Sequence, residues 1–173
     1  PSSSPDRFEP GTQNLEGAVE WGMAAEYLAK LGMDKIHGHD LALGKYFVDE
    51  LAKIPGVTVY GPKTVDDDRL AVVAFNVGRS VLERNYGDVA RKLDAKGVSV
   101  RDGCFCAHVL IPKLMGLPNE WHEERTQEML QGVTSADKPL LGTVRASFAF
   151  YNNLNDAYQA VQAIRTIANE IMN

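Results

Sequence analysis

Cysteine is nearly absent from this chain: among its 173 residues there are two, Cys104 and Cys106. A bridge between two residues so close in sequence would strain the usual disulfide geometry. A disulfide framework is therefore excluded, and a reducing compartment, the cytoplasm, is the expectation. Long apolar runs are missing as well. None approaches the roughly 20 residues that span a bilayer, and no secretory signal pattern opens the chain, so no membrane partner is expected. Basic clusters are also lacking. Eighteen Lys and Arg stand against 23 Asp and Glu, a formal net charge of −5. That balance gives no general attraction for nucleic acid or anionic lipid. The densest charge run, Asp66-Asp67-Asp68-Arg69, reads as a solvated loop. The chain opens on Pro1-Ser2-Ser3-Ser4-Pro5 rather than on Met, and a piece of a longer protein is the expectation.

What remains is an ordinary globular composition, with 45% hydrophobic and 24% charged residues, enough for one compact domain with a core. Leu15, Ala18, Val19, Gly22, Ala25 and Leu28 recur at helical spacing, which predicts a helix over 14–31 closed by Gly32. A second helix is predicted from Asp34 to Lys53, ended by Pro55-Gly56. Strands are predicted at Val57–Tyr60, Leu70–Val77, Val98–Arg101 and Thr143–Phe150, with a helix around Tyr86–Leu93 before the third. Residues 109–132 read as mostly helical with a break near Gly116–Pro118, and 133–141 as a polar loop. A last helix starts near Asn155, its predicted N-cap, and runs through Ile171. This order suggests an α+β fold: a small, mostly antiparallel sheet of about four strands covered on one face by helices.

Three segments carry candidate chemistry. Asp102-Gly103-Cys104-Phe105-Cys106 follows a strand and reads as a loop. A thiol there is accessible, and Arg101 or His108 is placed to favour the Cys106 thiolate, the form that acts as a nucleophile. Equally, the two cysteines can pack as small apolar side chains. In an extended strand Cys104, Cys106 and His108 would face one side, as three zinc ligands with water in the fourth position do, but the spacing is not a usual zinc pattern and no second pair follows, so no metal is assigned. Arg145 sits inside the apolar strand Val144–Phe150, where an unpaired charge is costly. It stands at a sheet edge, is held in a structural salt bridge, or is used as a bidentate clamp on a carboxylate. Gly11-Thr12 precedes the first helix and can offer a backbone N–H and a hydroxyl to a phosphate, or Thr12 or Asn14 can simply cap the helix. His37, His39 and His122 read as surface residues, and Trp21 and Trp121 as packing residues.

Together these segments resemble one family. Arg7-Phe8-Glu9-Pro10-Gly11-Thr12 resembles the Arg-Phe-Glu-x-Gly-Thr segment of class V pyridoxal-phosphate enzymes. Val100–Ala107 resembles their Val-Arg-x-Gly-x-x-Cys-Ala loop, and Arg145–Asn152 their Arg-Ala-Ser-x-x-x-Tyr-Asn segment. The order matches, and the nearest group is that of cysteine desulfurases and selenocysteine lyases. The resemblance implies the C-terminal small domain of a fold-type I enzyme, with residues 1–13 a linker from a large cofactor-binding domain and 14–173 the small domain. It implies a homodimer in which Thr12 and Gly11 reach the cofactor phosphate of the neighbouring subunit. Arg145, and less directly Arg101, would hold the substrate carboxylate. Cys106 would take sulfur from cysteine as a persulfide, leaving alanine and passing the sulfur to an acceptor protein. Transamination, epimerisation or lyase chemistry on another amino acid, with Cys106 a bystander, is the alternative. A non-catalytic binding or dimerisation module is the reading from outside enzymology.

Some features depart from that pattern. Cys104-Phe105 stands where desulfurases of this group often carry two histidines, a Cys-x-Cys arrangement similar to cofactor sulfurase-like members. The stretch from His108 to Arg145 is longer than in compact desulfurases. The family's Schiff-base lysine lies upstream of the segment matched by Arg7, and no lysine here matches it, so the chain by itself is expected to be inactive. The dense apolar character of the first helix, Trp21 included, predicts an exposed patch and, with it, dimerisation or poor solubility.

Overall fold

The computed structural model describes residues 8, 11–64, 70–80, 85–118, 127 and 142–173. The acidic run at 66–69, Trp121, His122, the helix expected beyond residue 118 and the loop at 133–141 lie outside the described residues. Among the described residues there are five helices and four strands, in the order α1 (Leu15–Leu31), α2 (Met33–Leu51), β1 (Val57–Val59), β2 (Val72–Val77), α3 (Tyr86–Asp94), β3 (Arg101–Gly103), α4 (Leu110–Leu114), β4 (Thr143–Ser147) and α5 (Leu154–Met172). The chain divides into two compact units, residues 1–37 and 38–173, with the boundary inside α2.

The first unit is dominated by α1. Asn14 caps it by accepting from the Gly17 amide, and the Gly32 amide donates to the Leu28 carbonyl at the other end. No residue of α1 is buried. Trp21 is 78% exposed, and Leu15, Val19, Met23 and Tyr27 are exposed as well. Helical periodicity is thus expressed without a core beneath it, and the expected apolar patch is present.

The second unit is the α+β fold the sequence predicts. Its sheet has the order β1-β2-β4-β3, and every pairing among the described strands is antiparallel. One face is aliphatic and aromatic: Val73, Phe75 and Val144 are fully buried against Phe47 and Leu51 of α2, Leu93 of α3 and Ile164 and Ile167 of α5. Each such side chain contributes roughly 1.5–3 kcal/mol by leaving water. Phe47 meets Phe75 and Phe148 edge to face, with ring centroids 6.3 and 5.1 Å apart. The opposite face carries a smaller cluster, in which Tyr60, Ile111 and Met115 gather Ala74, Cys104, Phe105 and Ala107. The short helix α4 and the loop before it therefore cover the sheet from the side that the longer helices leave open.

Two boundaries differ from expectation. Val98–Val100 are not in the sheet, and β3 begins at Arg101 and takes in Asp102 and Gly103, which the sequence places in a loop. Val98, Ser99 and Val100 line a cavity of about 530 Å³ together with Ser147, Phe148 and Asn152. The Val98 amide donates to the Leu93 carbonyl at the end of α3, while the Phe148 amide donates to the Ala71 carbonyl and carries the β2–β4 ladder one residue further. The final helix is capped by Asn153, not Asn155. Asn153 accepts from the amides of Asn155 and Asp156, and the Asp156 carboxylate accepts in return from the Asn153 amide, a reciprocal pair that Asn155, two residues later and with Tyr158 three residues beyond it, cannot form.

Candidate active site

Strand alternation places the candidate residues on the face away from the main core. Arg145 of β4 lies directly opposite Arg101 of β3 and Ala74 of β2, so all three point to the same side. Two like charges facing each other across a ladder repel, and an anion between them relieves that cost. Arg101 is exposed and Arg145 half-buried. The Arg145 guanidinium lies 4.8 Å from the centroid of the Phe105 ring. Its Nε is buried and has no hydrogen-bond partner, and among the described residues no carboxylate pairs with it. Of the roles the sequence leaves open, the edge position is excluded because β4 lies between β2 and β3, the structural salt bridge is not found among the described residues, and an arginine with unspent donors remains.

β3 ends at Gly103, whose φ of 108° suits glycine. The following residues form a tight turn in which the Ala107 amide donates to the Cys104 carbonyl at 2.8 Å. Both central residues of that turn, Phe105 (φ 53°) and Cys106 (φ 59°), are left-handed although neither is glycine. Such conformations cost roughly 1–3 kcal/mol each and persist where the surroundings hold them. The turn lays the Phe105 ring over Arg145 and leaves the Cys106 thiol exposed. It also means that Cys104, Cys106 and His108 do not lie on one extended strand, and among the described residues no three His, Cys, Asp or Glu side chains come together as metal ligands.

His108 goes elsewhere than the sequence suggests. Its Nδ1 is 3.3 Å from the sulfur of Cys104, not of Cys106. Among the described residues the Cys106 thiol has no hydrogen-bond partner. The spacing of four residues contains this pairing, but the choice between the two cysteines depends on the turn.

In the first unit, Gly11 and Thr12 are exposed, and Gly11 has a φ of 94° with open space where a Cβ would be. Asn14, rather than Thr12, caps α1, so the Thr12 hydroxyl stands outside the capping hydrogen bond. His37 and His39 are on the surface, as expected, but His39 is partnered: its Nε2 is 2.8 Å from the carbonyl oxygen of Asn152. A buried polar pair was not anticipated by sequence. Asn76 and Thr143 are both fully buried, the Asn76 amide donating to the Gly142 carbonyl at 3.0 Å while its own oxygen and the Thr143 hydroxyl have no partner. An Asn inside the run Val72–Val77 was the available signal.

An antiparallel sheet backed by helices, with a cysteine turn packed over a strand arginine, defines the class of small α+β domain to which comparison can be made. The aminotransferase class-V family model matches residues 2–159, and the chain belongs to that family. Cysteine desulfurases of Salmonella newport and Salmonella typhimurium are each 39% identical over 110 residues, 64% of this chain and 25% of theirs. Among solved structures, the apo cysteine desulfurase of Thermococcus onnurineus NA1 superposes with a TM-score of 0.72 at 28% identity, over 98% of this chain and 35% of that one. The cysteine desulfurase CsdA of Escherichia coli, in its S-sulfonic acid form, gives a TM-score of 0.70 over 98% of this chain and 34% of that one, a likeness of fold at 24% identity. The chain thus spans about a quarter of the length of the curated relatives it matches. Among the described residues no helix is long and apolar enough to cross a membrane.

Proposed function

We propose that this chain is the small domain of a pyridoxal phosphate-dependent cysteine desulfurase, with residues 14–173 forming that domain and residues 1–13 leading from a large cofactor-binding domain. The observation that carries the reading is an exposed thiol on a turn that packs over an anion-hungry arginine of β4. Cys106 is at the apex, and Phe105, its neighbour, covers an Arg145 whose Nε is buried and unpartnered. A free amino acid offers the two groups this arrangement wants, a carboxylate for the arginines and, in cysteine, a sulfur for the thiolate.

In this reading Arg145 grips the substrate carboxylate bidentately and Arg101, across the ladder, adds charge at the rim. The Cys106 thiolate attacks the substrate sulfur. A sulfur–sulfur bond forms, the carbon–sulfur bond breaks, and its electron pair goes with the carbon skeleton, which leaves as alanine. The sulfur stays on Cys106 as a persulfide for an acceptor protein. Pyridoxal phosphate, when bound, supplies the electron sink for these bond changes. The residues of the first unit suit its phosphate: Gly11 leaves room for close approach, and Thr12 has a hydroxyl outside the helix cap. That contact belongs to a homodimer in the cytoplasm, each subunit lending its Thr12 to the other's cofactor. The chain taken by itself, with no lysine in the family's cofactor position, releases no sulfide.

The test uses the full-length protein loaded with pyridoxal phosphate and given L-cysteine. Sulfide and alanine should appear in equal amounts under reducing conditions, and both should vanish in Cys106→Ala. Cofactor binding without sulfide, or sulfide indifferent to that substitution, would transfer the protein to transamination, epimerisation or lyase chemistry and make Cys106 a bystander.

A further inference from the structure

The loop holds two thiols, and they differ in a way the desulfurase reading does not use. Cys106 is exposed and without a partner among the described residues, while Cys104 is half-buried and has the Nδ1 of His108 at 3.3 Å from its sulfur. The groups needed for a substrate-facing nucleophile and for an activated second thiol are thus divided between two residues. A thiol beside an imidazole can hand over its proton and become the stronger nucleophile. His108 is on the far side of the same turn, and its neighbour Ala107 closes that turn onto the Cys104 carbonyl at 2.8 Å. Cys104 is packed among Phe105, Ala107 and the Tyr60–Ile111–Met115 cluster, which limits its access to bulky reagents.

We propose that Cys104 and His108 form a relay site that takes the sulfane sulfur from the persulfide of Cys106. The proposal rests on the assignment of Cys106 as the persulfide carrier. Adding a sulfur to Cys106 extends that side chain by about 2 Å, the length of one sulfur–sulfur bond, from a position two residues from Cys104. His108 accepts the Cys104 proton, and the Cys104 thiolate attacks the terminal sulfur of the persulfide. The bond between Cys104 and that sulfur forms, and the bond between it and Cys106 breaks. The electron pair remains on Cys106, which leaves as thiolate and recovers the proton from His108. No net oxidation or reduction occurs, so no further reagent is required. Attack on the inner sulfur would instead close a small, strained ring across Phe105 and expel sulfide. Transfer to the terminal sulfur avoids that ring, frees Cys106 for another substrate and stores the sulfur at a less exposed position.

The experiment follows sulfur within the tryptic peptide Asp102–Lys113, which contains both cysteines and in which fragment ions tell them apart. The full-length holoenzyme is mixed with L-cysteine in one arm. In a second arm it is mixed with glutathione persulfide, which loads an exposed thiol without any turnover. Samples are alkylated over time. In both arms label should appear first on Cys106 and then on Cys104. In Cys104→Ser it should stay on Cys106, and in Cys106→Ala none should reach Cys104. His108→Ala should slow the second step roughly 10²-fold, the scale of a lost general base, and free imidazole should restore part of the rate, which a merely structural role would not allow. Label confined to Cys106 at all times, or reaching Cys104 at an unchanged rate in Cys106→Ala, overturns the relay. If relay is seen with glutathione persulfide but no label arises from L-cysteine, the relay stands and the desulfurase reading falls.

Discussion

The two faces of the sheet are built from the same four strands and differ in almost everything else. Towards α2, α3 and α5, Val73, Phe75 and Val144 are sealed into an apolar core. Towards α4, Asn76 and Thr143 are as deeply buried but leave polar atoms unpartnered, Arg145 has no carboxylate partner among the described residues, and the covering turn holds two non-glycine residues in left-handed backbone. The first face has the features of a stability element. The second tolerates unsatisfied groups and strain, which stable folds concentrate where a ligand is to be met. The contrast shows where folding free energy is generated and where some of it is given up.

The contrast can be broken from either side. Phe75→Ala should cost about 3–5 kcal/mol, because a fully buried ring is replaced by a cavity, and urea unfolding should report it as a large fall in midpoint. Arg145→Lys should leave the unfolding midpoint much closer to wild type. Loss of a bidentate charged contact worth roughly 1.5–3 kcal/mol should nevertheless lower kcat/KM for L-cysteine in the full-length holoenzyme by about 10- to 100-fold. An unfolding midpoint that falls as far for Arg145→Lys as for Phe75→Ala would erase the distinction between the faces. Asn153→Ala, which removes a reciprocal cap from α5 at the edge of the main core, should cost about 1 kcal/mol in the same denaturation measurement. The smallest effect is expected at Thr143→Val. The hydroxyl is buried without a partner, so its exchange for a methyl should be neutral or stabilising, within about 1 kcal/mol. A marked loss of stability there would mean that the polar face is satisfied by ordered water.

Sequence pattern reached far into the architecture. A continuous apolar run bounded by charges and Gly78 identified β2, and helical periodicity located α1 and the body of α2 and α5, because those signals are local and strong. It was less reliable at edges. Val98–Val100 have strand composition but stand outside the sheet, the Val98 amide going to the Leu93 carbonyl at the end of α3, and composition does not say whether a strand partner is present. The cap of α5 moved by two residues because several asparagines compete there and the reciprocal bond to Asp156 decides among them. For the candidate site, the residue types in the Cys-bearing loop and at Arg145 were visible as anomalies: thiols in a short loop and a charge in an apolar strand.

By itself, the amino-acid sequence determined the class of fold, the order of its elements and the residues worth suspecting, since periodicity, turn residues and motif spacing are written along the chain. Tertiary structure decided which of them meet. Antiparallel register set Arg101 opposite Arg145, the turn at Phe105 and Cys106 brought an aromatic ring over that arginine, and His108 fell to Cys104 instead of Cys106. These outcomes depend on backbone direction at single residues and on strands distant in sequence. Linear spacing alone does not encode which of two neighbouring thiols a histidine will face.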